Sequence, residues 1–234
     1  VDAGNTRIKW ATVKGDEWVH GGTLPVEQVT ELLAHITNLH DIRQAWVSNV
    51  AGGEVARHIR NLGIGETHFI VAQESQCGVR NGYSNATQLG GDRWAALIAA
   101  WHLARGKCLV VNCGTATTID ALSGQGEFLG GLILPGVELM RRSLAGATNQ
   151  LKMSGGKYAP FPLNTADALV SGAIHASCGA IERQQALLDD NGAPVILSGG
   201  AAGVLRPYLG MPTHSVDNLV LRGLLLIAQE ASAK

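Results

Sequence analysis

The 234-residue chain contains the same sequence pattern twice. The run VDAGNTRIKWA at residues 1–11 matches VNCGTATTIDA at residues 111–121. In both runs a polar residue follows an apolar lead-in, and a small residue and a glycine precede a turn that contains threonine. Self-similarity on this scale is typical of a duplicated supersecondary unit. The chain is therefore expected to fold as two similar halves.

The same order of elements follows each copy of the pattern. Each copy enters a strand, passes a second turn and reaches a third strand that ends in WVHGGTL or EFLGGLIL. Short apolar runs between glycine-rich turns indicate β-hairpins. Apolar spacing then predicts the remaining elements. The predicted helices cover 26–36, 54–63, 92–106, 137–144 and 165–188, with a closing helix from Asp217, and strands lie within 45–53, 67–72, 194–203 and 213–216.

These elements predict an α/β fold in which the order βββαβαβ occurs twice, over residues 1–98 and 99–234. In each half, three antiparallel strands would continue into parallel ones, with helices packed on the sheet. Ligands of open α/β sheets bind beyond the carboxyl ends of the strands. A ligand cleft is therefore expected between the two halves.

Charge, hydropathy and cysteine spacing exclude several classes of protein. The formal net charge is −1 and no basic run occurs, so a nucleic-acid interface built on phosphate neutralisation is excluded. No apolar run reaches membrane-spanning length, and no signal peptide is visible. The chain begins with Val inside an expected strand, so further residues are expected to precede it. The cysteines form no CxxC pair, which excludes a zinc ribbon and favours buried thiols in a reducing cytoplasm. They are Cys77, Cys108, Cys113 and Cys178.

The first glycine turn is expected to bind phosphate. Turns rich in glycine and asparagine tolerate positive φ and present successive backbone N–H groups to an anion, as Gly4 and Asn5 would here. Thr6 adds a hydroxyl, and Lys9 would return along the second strand to the phosphate charge. A carboxylate beside phosphate is consistent with bound Mg²⁺, so Asp2 is expected to hold the metal, directly or through water.

The second turn would bind the same ligand from the other half, through Gly114 and Thr115. The segment LSGG, with Ser198, Gly199 and Gly200, would lie against the base and ribose of a nucleotide. The alternative is that both are ordinary turns in a chain with 30 glycines. Their recurrence at the start of both halves favours the phosphate interpretation. No GxxxxGK[ST] sequence occurs, so a P-loop is excluded.

Five segments together resemble the type III pantothenate kinases, which are also called Bvg accessory factors. They are DAGNTRIKW, GYSNATQLGGDRWAAL, NCGTATTID, GGLILPG and NTADAL. This family is part of the superfamily of acetate and sugar kinases, heat-shock chaperone ATPases and actin. The resemblance implies a ribonuclease H-like, actin-like fold. It also implies ATP-dependent phosphorylation of pantothenate to 4'-phosphopantothenate, the first step of coenzyme A biosynthesis, in a cytoplasmic homodimer.

The resemblance also implies roles for the GGDR sequence. Asp92 would be the catalytic base, and Gly90, Gly91, Asp92 and Arg93 would contact pantothenate. Pantothenate has a primary hydroxyl and a carboxylate, which suits an Asp-Arg pair. The alternatives are a helix N-cap for Asp92 and a surface salt bridge for Arg93.

Two further substrate contacts follow only from the resemblance. Tyr83 would line the pantothenate pocket, and Thr165 would reach it from the neighbouring subunit, because family dimers have the pocket at the interface. The alternatives are packing for Tyr83 and helix capping, together with Asn164, for Thr165.

One position departs from the family pattern. The family usually has Asp where this chain has Asn112, and a monovalent cation (K⁺ or NH₄⁺) binds there. An amide oxygen can ligate K⁺ but brings no charge, so cation activation is an open question. Asp120 is either a compensating carboxylate or a solvated strand end.

Two other functions stay open at this point. One is a nucleotide-binding regulator without turnover, against which the GGDR sequence argues. The other is a kinase for a neutral sugar, which would offer no carboxylate to Arg93. The segment KMSGGKYAPF is expected to be a mobile loop.

Overall fold

The computed structural model describes residues 1–36, 39–147, 155–190 and 192–233. The first part of the chain builds a five-stranded sheet in the order β3-β2-β1-β4-β5. β1, β2 and β3 are antiparallel, while β4 is parallel to β1 and β5 is parallel to β4. The strands are Asp2–Ala3 (β1), Arg7–Lys14 (β2), Glu17–Pro25 (β3), Gln44–Asn49 (β4) and Glu66–Phe69 (β5).

A second five-stranded sheet repeats this topology in the order β10-β9-β8-β11-β12. The first three strands are again antiparallel and the last two parallel. A small hairpin of β6 and β7 precedes the sheet. The duplicated βββαβαβ order is therefore confirmed. The strands are Ser75–Gln76 (β6), Val79–Arg80 (β7), Cys108–Cys113 (β8), Ala116–Leu122 (β9), Phe128–Pro135 (β10), Val195–Ser198 (β11) and Thr213–Ser215 (β12).

The longer α-helices follow the predicted spans closely, except near residue 30, and the single-turn helix Ala202–Leu205 was not predicted. None of the helices within the described ranges is long and apolar enough to cross a membrane. The α-helices are Leu32–His35 (α1), Gly53–Asn61 (α2), Gly91–Ala104 (α3), Val137–Ala147 (α4), Thr165–Leu187 (α5), Ala202–Leu205 (α6) and Leu219–Ser232 (α7), and the 3-10 segments are Val26–Glu31, Leu39–Asp41, Ala86–Gln88 and Arg206–Tyr208.

The helix predicted over residues 26–36 is wrong in type. The chain forms the 3-10 segment Val26–Glu31 and then the single turn α1, and Gln28 leaves helical geometry with φ −95° and ψ 21°. β-Branched residues lose rotamer freedom in an α-helix, which weakens the segment VEQVTE despite its apolar spacing. In the segment KMSGGKYAPF, residues 152–154 lie outside the described residues, so its mobility stays a prediction.

Contacts divide the chain into two compact units. The first comprises Val1–Leu103 and Asn218–Lys234, and the second comprises Ala104–Asp217. α7 therefore belongs with the first sheet, whereas the sequence halves 1–98 and 99–234 place it with the second. The reason is local: α7 packs against β4 and β2.

In the first unit the sheet has two covered faces. One face contributes Ile8, Trp10 and Val47 to a buried cluster with Leu32 and Ile59. Residues alternate between faces along a strand, so Asp2, Lys9 and Ser48 lie on the opposite face, where α7 packs. α3 is buried along most of its length from Arg93 onward, which explains why it is apolar on nearly every side.

In the second unit, one face of the sheet packs against α5. The cluster joins strand residues to helix residues that recur at helical spacing, so this long helix is held by its apolar stripe. Its buried members include Leu109, Val111, Ile119, Val195, Leu197, Ile174, Cys178 and Ile181.

Helices α7 and α3 are in direct backbone contact at Gly223 and Ala95. A methyl group at Gly223 would overlap the carbonyl oxygen and the backbone carbons of Ala95. Gly172 in α5 is also helical, but a methyl group there meets no other atom within 4 Å. The two glycines therefore form a matched pair that differs only in the space around them.

We expect Gly223→Ala to lower the free energy of unfolding by about 3 kcal/mol or more, because backbone cannot move aside as a side chain can. Gly172→Ala should raise it by up to about 1 kcal/mol through helix propensity. Urea denaturation followed by circular dichroism measures both changes. Equal effects of the two substitutions would contradict the proposed helix contact.

Candidate functional site

The turn between β1 and β2 closes through backbone hydrogen bonds. The Gly4 N–H donates to the Arg7 carbonyl at 3.0 Å, and the Val26 N–H donates to the Thr6 carbonyl at 3.1 Å. Such turns tolerate positive φ, but Gly4, Asn5 and the corresponding Gly114 do not adopt it. The loop between the paired residues Ala3 and Ile8 has four residues, and left-handed backbone is required mainly in two-residue hairpin loops.

Asp2 lies in the middle of a polar row across the first sheet. It is directly opposite Lys9 of β2 and Ser48 of β4, so the three side chains project from the same face. Burial and the nearby charge of Asp92 raise the pKa of Asp2 to about 6, against the opposing effect of Lys9. The predicted metal carboxylate and the predicted base therefore lie close enough to influence each other's charge.

Asp92 lies inside the first turn of α3. The Trp94 N–H donates to the Gly90 carbonyl at 2.9 Å, so Gly90 occupies the N-cap position and the N-cap alternative for Asp92 is wrong. The Oδ1 atom of Asp92 accepts a hydrogen bond from the Arg93 N–H at 2.8 Å. A Cβ at Gly90 would lie 2.6 Å from that oxygen, so a glycine at this position leaves room for the carboxylate.

Arg93 is buried rather than exposed. Only 6% of its surface is accessible, so the surface salt bridge considered as an alternative is wrong. Its Nη1 donates to the Tyr83 hydroxyl at 3.1 Å, and the guanidinium carbon lies 5.8 Å from the centroid of the tyrosine ring. The structure thus brings Tyr83, Asp92 and Arg93 together.

Asn81 holds the loop that carries Tyr83. Its Oδ1 accepts from the Tyr83 N–H at 3.0 Å, and its Nδ2 donates to the Ala86 carbonyl at 3.3 Å. Sequence reasoning missed this residue. An asparagine before a glycine at the end of a short strand is a turn signal, and it was the available clue.

The β6–β7 hairpin before this loop was also missed. The Gln76 Oε1 accepts from Trp94 Nε1 at 2.8 Å, and the Glu230 Oε1 accepts from the Cys77 N–H at 3.0 Å. Cys77 and Gly78 form its turn with φ of 49° and 79°. A glycine between two very short polar runs gave only a weak signal, because neither strand has an apolar alternation.

In the second unit the structure brings LSGG to the second turn. Ser198 is directly opposite Asn112 in the β8–β11 pair, and the Ala201 N–H donates to the Cys113 carbonyl at 3.0 Å. Gly199 has φ of 96°, and a Cβ there would overlap the backbone of Cys113. Only glycine permits this approach. Thr115 and Gly200 are exposed.

Asp120 is not a solvated strand end. Its accessible surface is 1%, because β9 is paired on both sides and Asp120 is opposite Val110 and Gly131. Whether it compensates for Asn112 stays a prediction.

Thr165 is exposed as the first residue of α5. The preceding Asn164 is the N-cap, and its side chain accepts from the Asp167 N–H at 2.9 Å. Capping by Asn164 is confirmed, whereas a role for Thr165 in substrate binding stays a prediction.

The cysteines are free thiols. Three of them are buried, and burial raises the pKa of Cys108 and Cys113 to about 12 and that of Cys178 to about 11. They remain protonated at neutral pH, so they are not nucleophiles. Cys77 is only partly buried.

Within the described ranges, no cluster of three His, Cys, Asp or Glu residues could hold a metal ion. A cavity of about 770 Å³ lies beside β4 and β5 and is lined by residues such as Trp46, His68, Ile70 and Asn85. None of the predicted site residues lines it. The predicted site is therefore defined by the convergence of its side chains and not by this cavity.

A family model of type III pantothenate kinase matches residues 1–186. The chain belongs to the type III pantothenate kinase family. A type III pantothenate kinase from Aromatoleum aromaticum is 48% identical, over 100% of this chain and 98% of that protein. One from Nitrosospira multiformis is also 48% identical, over 99% of this chain and 91% of that protein.

A solved structure agrees with the fold of this family member. It is a Campylobacter jejuni protein assigned to the Baf family of transcriptional activators, with 22% identity and a TM-score of 0.66. The match covers 100% of this chain and 98% of that one. At this identity the likeness concerns the fold alone, and it supports the duplicated α/β architecture.

The raised pKa of Asp2 predicts a pH-dependent effect of Asp2→Asn in this kinase. The folded protein binds the proton more tightly than the unfolded chain, so ionised Asp2 lowers stability as the pH rises from about 4 through 6. The substitution should raise the free energy of unfolding by roughly 1–3 kcal/mol at pH 8 and change it little at pH 4. Denaturant titrations at both pH values measure the difference. Equal stabilisation at the two pH values would show that burial of the charge is not the cause.

Proposed function

We propose that this protein transfers the γ-phosphoryl group of ATP to the primary hydroxyl of pantothenate, giving 4'-phosphopantothenate at the start of coenzyme A biosynthesis. The observation that carries the proposal is the buried Arg93 next to Asp92 in the first turn of α3. An acceptor with both a hydroxyl and a carboxylate needs a base and a cation at fixed separation. Family membership supports the same reaction.

The acceptor side of the site follows from these contacts. Arg93 and Tyr83 bind the carboxylate of pantothenate, since the guanidinium offers several N–H donors and already contacts the tyrosine hydroxyl. Gly90 and Gly91 contact pantothenate through their backbone, and the lack of a side chain at Gly90 leaves room for the Asp92 carboxylate. Asp92 orients the hydroxyl and accepts its proton as the new O–P bond forms and the bond to the leaving oxygen of ADP breaks.

The phosphate side uses the polar row of the first sheet. The residues fit Mg²⁺, because this ion is typically bound by one or two carboxylates together with substrate phosphate oxygens, and Asp2 is a partly buried carboxylate that belongs to no cluster of three metal ligands in the described part of the chain. When bound, the ion neutralises phosphate charge. Lys9, opposite Asp2, adds a positive charge at the same place. Gly4, Asn5 and Thr6 form the adjoining turn, and the exposed Asn5 and Thr6 supply its donors to phosphate, since the Gly4 N–H already donates to the Arg7 carbonyl.

We propose that the second unit contributes to ATP binding through its own turn and the adjoining LSGG segment. The backbones of Cys113 and Gly199 are in close contact, so the second turn and the LSGG segment form one continuous surface. The residues are Gly114, Thr115, Ser198, Gly199 and Gly200. Asn112 is proposed as a ligand of a monovalent cation, K⁺ or NH₄⁺, through its amide oxygen.

We further propose a homodimer in which Thr165 contacts pantothenate bound to the partner subunit. Phe161 and Leu163, close to the start of α5, are 89% and 98% exposed. Large apolar side chains exposed to this degree are typical of a surface that another chain covers. A reducing cytoplasm is proposed as the location, in agreement with the free thiols.

The role of Asp92 is tested by Asp92→Asn. We expect kcat for pantothenate-dependent ADP release to fall by about 10²–10⁴, because the amide cannot accept the proton. The KM values should change little. The control is Asp16→Asn, which alters an exposed aspartate that accepts from Gln229. Full activity of Asp92→Asn would remove this residue from the mechanism.

The role of Arg93 is tested with two acceptors. Arg93→Gln should raise KM for pantothenate by about 10- to 100-fold, because a charge-assisted contact is lost. It should change KM much less for an analogue whose carboxylate is replaced by an alcohol. Arg57→Gln, at an exposed arginine of α2, is the control. The same increase for both acceptors would refute the carboxylate contact, and ADP release with a sugar but not with pantothenate would refute the proposed substrate.

A further inference from the structure

Ser48 carries a buried hydroxyl for which the structure shows no use. The residue is wholly buried, and among the residues that the structure describes its Oγ has no hydrogen-bond partner. Buried polar side chains are nearly always hydrogen-bonded, and an unpaired one costs free energy. Alanine at this position would avoid that cost, so the hydroxyl calls for a functional explanation.

The position of Ser48 places it beside Asp2. The two residues are directly opposite in the parallel β1–β4 pair. Their neighbours Ala3 and Val47 point into the apolar cluster on one face of the sheet, so Asp2 and Ser48 point to the other. Opposite side chains on one face lie within reach of each other.

The same pairing recurs in the second unit. Asn112 begins the second turn as Asp2 begins the first, and its partner in the neighbouring parallel strand is Ser198, which is also buried. Each unit therefore has a serine opposite the polar residue that precedes its glycine turn. Because this pairing recurs, we attribute the serine to the function of the glycine turn and not to the general packing of the sheet.

We propose that Ser48 is a positioning residue for Asp2, whose ionised carboxylate accepts a hydrogen bond from the Ser48 hydroxyl when Mg²⁺ and nucleotide are bound. The inference rests on the proposed function of Asp2 as the metal carboxylate. A partly buried ionised carboxylate is stabilised by hydrogen-bond donors, and the negative charge of Asp92 nearby increases that effect. A serine hydroxyl turns about a single bond, so it can remain unpaired without ligand and pair in the complex.

The test is the affinity of the protein for Mn²⁺, a probe for Mg²⁺, in the presence of a saturating non-hydrolysable ATP analogue. Protein-bound Mn²⁺ is separated from free and analogue-bound Mn²⁺ by ultrafiltration and quantified by electron paramagnetic resonance. We expect Ser48→Ala to weaken Mn²⁺ binding about tenfold, because a hydrogen bond to a charged group is lost. The midpoint of thermal unfolding without ligand should stay the same or rise, since an unpaired hydroxyl is removed.

Two further variants separate the hydroxyl from the volume of the side chain. Ser48→Cys keeps a similar size but is a weak donor, so it should bind Mn²⁺ as poorly as Ser48→Ala. Ser48→Thr keeps the hydroxyl and should bind within about threefold of the unchanged protein, as expected for a retained donor. Ser177→Ala is the matched control, because Ser177 is a buried serine whose hydroxyl already donates to the Ala173 carbonyl.

The outcomes distinguish this inference from the proposed function. Unchanged Mn²⁺ affinity in Ser48→Ala, or a lower unfolding midpoint without ligand, would overturn the role of Ser48 alone. If the unchanged protein does not bind Mn²⁺ with the analogue, the proposed nucleotide site is wrong and the role of Ser48 falls with it. Weaker binding in Ser48→Ala and Ser48→Cys, with rescue by Ser48→Thr, would support the inference.

Discussion

The predicted site depends on the pairing of a strand of only two residues. β1 consists of Asp2 and Ala3, and it is held by β2 on one side and β4 on the other. Ala3 enters the apolar cluster, and this fixes Asp2 on the opposite face beside Lys9. The carboxylate is therefore held in a place where ionisation is unfavourable. Such a cost is tolerated at sites that bind a cation, because the ligand later supplies the missing charge.

The position of α3 is the second requirement. This helix is buried along most of its length, and its contact with α7 leaves no room for a side chain at Gly223. Asp92 and Arg93 begin the helix, so their positions are set by a rigid element and not by a loop. The β6–β7 hairpin and the turn at Asn81 then bring Tyr83 to Arg93. Rigid support of this kind favours precise alignment of an acceptor.

The sequence predicted the duplicated topology because glycine turns and apolar strands recur in the same order in both halves. It predicted α5 well, since a capping asparagine and long helical spacing agree there. It was wrong over residues 26–36, where helical spacing competes with β-branched residues. It also missed the β6–β7 hairpin, whose turn depends on contacts with residues far along the chain, such as Glu230.

The candidate residues could be proposed from the sequence, but their electrostatic environment could not. The turn pattern suggested Asp2, and the family resemblance suggested Asp92 and Arg93, whereas the burial of Arg93 and the influence of Asp92 on Asp2 arise only from tertiary packing. Ser48 gave no signal at all, because a serine at the end of a strand is ordinary in sequence. Its significance depends on strand register, which joins residues 46 positions apart in the chain.

The first unit is discontinuous, because α7 completes it from the far end of the chain. During synthesis on the ribosome, the segment Ala104–Asp217 emerges in full before α7 does. The second unit can therefore fold while the first still lacks the helix that covers the polar face of its sheet. The surface around Asp2 would stay open to water until α7 leaves the exit tunnel, so a chain truncated before α7 would carry an intact second unit and an unfinished first one.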